Sequence, residues 1–139
     1  MLNAEEWTLT NGCKVYYKFC DQNGIKVSLL GESSGGMSLL PAENLPSASA
    51  LSTLAMYSGL YKHDVQMMQE ILKGYHVQPN ITLGETFEGV SGVCDNNEME
   101  MLLQIIYLLF EHPRFDQNDF EKFVYLNRLQ AENTPRTVI

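Results

Sequence analysis

The 139-residue chain carries 45% hydrophobic and 10% aromatic residues, enough apolar material for one core, and its length matches a single domain over 1–139. Its net charge is −8, and no Lys or Arg occurs between Lys73 and Arg114, where Glu85, Glu88, Asp95, Glu98, Glu100 and Glu111 all fall. Such a balance excludes nucleic acid and anionic lipid as partners, since both require a Lys/Arg stripe; the longest apolar stretch, Met101 to Phe110, is interrupted by Gln104 and is too short for a membrane span.

The first third reads as strands. Trp7 and Leu9 alternate with Thr8 and Thr10, and after Asn11-Gly12 the alternation resumes through Cys13, Val15, Tyr17 and Phe19. Asn-Gly accepts the positive φ angles of a two-residue turn, so a hairpin is predicted. A second turn at Asn23-Gly24 leads into Ile25, Val27 and Leu29, giving three antiparallel strands in succession.

Gly31 to Gly36 is a small-residue loop, and Met37 to Pro46 reads as an irregular connection. Ser47 is placed to cap a helix with Ala50, Leu51, Leu54 and Ala55 on one face, ending near Gly59; Asp64 is placed to cap another, with Val65, Met68, Ile71 and Leu72, ending at Gly74. Asn80 to Leu83 and Thr86 to Val93 form a second, glycine-interrupted hairpin. Asp95 with Glu98 resembles a capping box, opening a helix that is apolar nearly all round, stops before Pro113 and is the candidate for a central buried helix. Asp116 caps the last helix, with Phe120, Phe123 and Val124 inward and Pro135 just past its end. The order β-β-β-α-α-β-β-α-α, with hairpins in place of βαβ units, predicts an α+β fold whose largely antiparallel sheet carries helices on one face.

Candidate chemistry is sparse. Gly31-Glu32-Ser33-Ser34-Gly35 matches the pattern of a serine nucleophile on a strand-to-helix turn, but no helix follows at once and the sheet is antiparallel. Ser33 is thus a weak candidate for serine hydrolysis. Cys94, near a predicted helix start, is the best-placed thiol, yet carboxylates surround it and oppose thiolate formation. Cys13, Cys20 and Cys94 are an odd number at spacings of 7 and 74, which favours reduced thiols over a disulfide framework or zinc ribbon. His63, His76 and His112 form no i, i+4 pair, and His112 is explained by its place in the last turn of a helix. The residues therefore nominate no catalytic, metal or cofactor-binding set. The N-terminus shows neither a basic start nor an apolar core of a secretion signal.

Trp7-Thr8-Leu9-Thr10-Asn11-Gly12, Val15-Tyr16-Tyr17-Lys18, Ile25 to Leu30 and Gly35-Gly36, in that order, resemble the opening of a pitrilysin/insulinase-type zinc metallopeptidase half. Tyr57-Ser58-Gly59-Leu60, Glu88-Gly89-Val90-Ser91-Gly92 and Phe110-x-x-Pro113-Arg114-Phe115-Asp116 extend the resemblance over nearly the whole chain. The catalytic half of that family carries His-x-x-Glu-His on the helix after the Gly-Gly loop, two histidines ligating zinc and the glutamate activating water. Here the stretch reads Ser47-Ala48-Ser49-Ala50-Leu51-Ser52-Thr53-Leu54. The resemblance thus implies a degenerate, non-catalytic domain excised from a larger peptidase, with zinc in the catalytic half, and with that half and peptide substrates as partners. It implies a chamber-forming role in a bacterial envelope or cytoplasm. A free-standing α+β interaction module is the reading from the residues alone.

Overall fold

The computed structural model describes residues 4–21 and 24–133, apart from the side chain of Met56. Five strands, β1 (Glu5–Thr8), β2 (Lys14–Tyr17), β3 (Lys26–Ser34), β4 (Gln78–Leu83) and β5 (Phe87–Asp95), and four helices, α1 (Leu45–Tyr57), α2 (Val65–Ile71), α3 (Met99–Glu111) and α4 (Gln117–Asn133), make an α+β fold. Every pairing among the described residues is antiparallel. The Asn23 half of the second predicted turn, Pro135 and the first three residues lie outside the described residues.

The first hairpin forms, but with a longer turn than Asn11-Gly12 alone predicts. The Gly12 amide donates to the Leu9 carbonyl (2.9 Å) and the Leu9 amide to Cys13 (2.8 Å), while the Asn11 side chain accepts from the Cys13 amide (3.0 Å). Only Gly12 takes a positive φ, 86°, so the connection is a three-residue loop closed by glycine. Trp7 stacks on Tyr17 diagonally across the pair, ring centroids 5.6 Å apart.

The expectation of three successive paired strands fails at the third. β1 and β2 form a separate two-stranded sheet, and β3 joins a sheet ordered β3-β5-β4. The reason is length: β3 and β5 match over nine residue pairs, from Lys26↔Asp95 to Ser34↔Phe87, whereas β2 has only four residues to offer. Pairing with β5 therefore satisfies more backbone donors and acceptors.

Alternation along the three strands turns Val27, Leu29 and Gly31, Pro79, Ile81 and Leu83, and Val90, Gly92 and Cys94 toward the helices. Leu102 of α3 is fully buried over Gly92, where a Cβ would stand 2.6 Å from its Cδ1. Only a glycine lets helix and strand approach this closely. Ala48, Ala55, Leu60 and Ile105 complete the buried apolar set with Cys94 and Leu102. α3 is not the enclosed central helix its composition predicts: Leu103 and Tyr107 point outward, 47% and 60% exposed, and Phe110, 62% exposed, stands at the edge of the groove between α3 and α1. With all helices on one face, a helix over the sheet has one covered side.

The connections explain two further shifts. α1 begins at Leu45, two residues before the predicted Ser47 cap, because Pro46 fits the first turn and a 3-10 turn over Ala42–Asn44 runs directly into it. The Asp95–Glu98 capping box does not form; Glu98 occupies the cap position without a side-chain bond, and both carboxylates turn elsewhere. Asp64 and Asp116 do cap, accepting from the amides of Met67 (2.8 Å) and Asn118 (2.9 Å). Arg114 ties the two ends of the helical layer, reaching Asp116 at 2.9 Å and the carbonyl of buried Ser58 at 3.5 Å.

Gly35 and Gly36 fasten the end of β3 to the β4–β5 turn: Gly35 donates to Thr86, and Met37 to Gly84 at 2.8 Å. Gly36 has φ 68°, and a Cβ there would lie 2.5 Å from the Gly84 carbonyl oxygen and 2.6 Å from that of Phe87. Gly36→Ala is expected to cost about 3 kcal/mol, combining the left-handed backbone penalty with a clash against backbone. Gly74→Ala, at φ 92° in open space, is expected to cost only about 1 kcal/mol. Urea denaturation midpoints of the two variants check the contrast.

Candidate functional site

Ser33 lies inside β3, paired with Glu88, and the chain stays extended through Ser34. It borders a groove of about 530 Å³ between the sheet, α1 and α3, whose lining includes Ser52, Thr82, Glu32 and Glu88 and holds no histidine. A strand serine without an imidazole lacks the turn geometry and the base that nucleophilic attack needs. Cys94 is fully buried. Burial pushes its thiol up, the Glu98 and Asp95 carboxylates add to the rise, and Lys26 opposes it. It is held as the protonated thiol, a small apolar residue of the core.

The histidines go to three different places. His63 closes a tight turn with Leu60, each amide donating to the other's carbonyl. His112 ends α3, its carbonyl accepting from Tyr61 at 3.2 Å and its ring tilted against the Tyr61 ring at 5.2 Å. Among the described residues, His76 is the histidine that meets carboxylates.

That meeting is the polar cluster the sequence did not disclose. Asp95, at the end of β5, is 9% exposed. Its Oδ1 faces the Lys26 ammonium at 2.5 Å and its Oδ2 faces His76 Nδ1 at 3.1 Å, while the Glu98 carboxylate accepts from the His76 amide at 2.8 Å. Three segments are tied by one carboxylate: the start of β3, the approach to β4 and the step from β5 into α3. The hydrogen bond from Lys26 holds the Asp95 carboxyl below its usual range despite burial, and the charge of Lys26 and the contact with His76 add to the pull.

His76, Asp95 and Glu98 also offer ligand atoms within 4.8 Å of one another, the one such group among the described residues. Yet the Lys26 ammonium already stands against Asp95, so a divalent ion would have to displace a paired cation. The arrangement is a structural latch in which two largely exposed groups, the Lys26 ammonium and the His76 ring, close on one nearly buried carboxylate. Sequence reading assigned Asp95 and Glu98 to a helix cap because the partner strand of β5 was not known; with Lys26↔Asp95 in register, their ion pair follows.

A carboxyl lowered on folding stabilises the fold above its unfolded value, about 4, and that contribution is lost as pH falls through the lower folded value. Asp95→Asn is therefore expected to lower the thermal midpoint clearly at about pH 7, and progressively less as pH falls below about 4, the unfolded value, toward the lower folded one. Thermal unfolding of both forms across that range checks it.

No family model and no curated protein matches the sequence. Solved structures do match. A mutant form of the ferredoxin protease FusC, in complex with Arabidopsis ferredoxin, superposes at a TM-score of 0.77 with 24% identity, covering 94% of this chain and 14% of that one. A protease from Helicobacter pylori superposes at 0.69 with 12% identity, covering 96% of this chain and 33% of that one. The chain thus has a fold that occurs within proteases, and it spans a third or less of the length of these two.

Proposed function

We propose that this chain is a non-catalytic, substrate-enclosing domain of a zinc-dependent peptidase of the pitrilysin/insulinase kind. The observation that carries the reading is the chemistry of α1. This is the helix that follows Gly35-Gly36, where the resembling family carries His-x-x-Glu-His, and from Leu45 to Tyr57 it has no imidazole, thiol or carboxylate. Hydroxyls of Ser47, Ser49, Ser52 and Thr53 stand in the sequence instead. Neutral hydroxyls are poor zinc ligands beside imidazole and carboxylate, so the helix does not fit the ion.

The fold likeness to segments of two proteases supports a peptidase-related role. The outward apolar side chains of α3 suit a domain that packs against neighbours, and the first of these matches was solved with a protein bound. On this reading zinc resides in the catalytic half, which is the domain's partner together with peptide substrate, and the 139 residues are one domain of a larger protein.

The test is metal retention. The purified chain, loaded with zinc and dialysed against zinc-free buffer, is expected to keep no stoichiometric ion by elemental analysis. One zinc per chain that survives His76→Ala, and so is not held by the Asp95 cluster, would contradict the proposal.

A further inference from the structure

The groove beneath α1 has a chemistry that selects a ligand class. Its walls are apolar, with Ile81, Leu83 and Val90 from the sheet and Leu51 and Phe110 from the helices. At about 530 Å³ it holds more than one side chain. The formal charge on its helix-facing side is Glu88, which points the same way as Ser33 and Val90 and whose carboxyl carbon lies 3.7 Å from the position of a Cβ on Gly35. Glu32 contributes through its main chain, since alternation turns its side chain to the opposite face of the sheet.

Among the described residues Glu88 has no ion pair or side-chain hydrogen bond. No Lys or Arg occurs from residue 74 to residue 113, and the chain as a whole carries −8. An anionic ligand is repelled by this field and a cationic one is drawn in. An apolar hollow next to one unpaired carboxylate, with the Ser33 and Ser52 hydroxyls beside it, matches an apolar side chain adjoining a cationic one.

We infer that this groove binds extended peptide segments in which a leucine-like side chain sits next to lysine or arginine: the apolar group lies against Leu51, Ile81 and Phe110, and the cation pairs with Glu88. The inference rests on the peptide-enclosing reading and supplies its substrate class.

Fluorescence anisotropy of a short fluorescein-labelled peptide with leucine–arginine at its centre, titrated with the chain, tests it. The leucine–arginine peptide is expected to bind about fivefold more tightly than its leucine–glutamate counterpart, the gain of one partly exposed ion pair. Glu88→Gln is expected to erase that preference while the leucine peptides still bind better than a serine–arginine peptide. Ser52→Trp, which fills the groove from α1, is expected to weaken all leucine peptides; circular dichroism confirms that both variants are folded. Equal binding of the arginine and glutamate peptides, or binding untouched by a folded Ser52→Trp, overturns the inference. Either failure with zinc retention still absent removes the ligand class alone, whereas stoichiometric zinc removes the non-catalytic reading and leaves the peptide preference as measured.

Discussion

The pairing of β5 with strands on both sides is the interaction on which the other features depend. β5 contributes the partner for all nine residues of β3 and for the six of β4, and it places Gly92 where α3 can lie directly on the sheet. Leu102 is buried because Gly92 has no side chain, and Leu102 in turn fixes the level at which α3 crosses. A one-residue slip would move Cys94 and Val90 to the open face and bring Asp95 under the helix, at a cost no neighbouring contact offsets.

Both ends of this pairing are fastened by specific chemistry. At one end Lys26 and His76 hold the buried Asp95 carboxylate; at the other Gly36 lets the chain fold back onto the β4–β5 turn. A buried carboxylate is tolerated only with partners, and a left-handed backbone against two carbonyls only with glycine. Between these two points lies the groove, bounded by β3, α1 and Phe110. The open outer side of α3 is a separate apolar surface.

Local signals were legible in the sequence and non-local ones were not. Asp64 and Asp116 cap as their positions predict, the stop before Pro113 holds, and the Asn11-Gly12 hairpin forms. Each is decided within a few residues by backbone geometry. Strand order is not decided locally, because β3 reads equally well beside β2 or β5 and the length of β5 decides between them. Without that pairing the Lys26–Asp95–His76 cluster has no trace in sequence, and Asp95 reads as a cap. In α3 composition alone does not decide: a helix apolar all round can be enclosed, or can expose Leu103 and Tyr107, and periodicity does not separate these. For the site, the groove that Ser33 borders depends on α1 and α3 meeting over the sheet and has no signature in sequence.

The chain has a fold that occurs within proteases, and we propose that it lacks the chemistry of cleavage. Turnover tests it most directly: the purified chain is incubated with a quenched-fluorescent peptide library in the presence of added zinc, and fluorescence is followed over hours. The account predicts no release above buffer. Release that a metal chelator abolishes and zinc restores would contradict it.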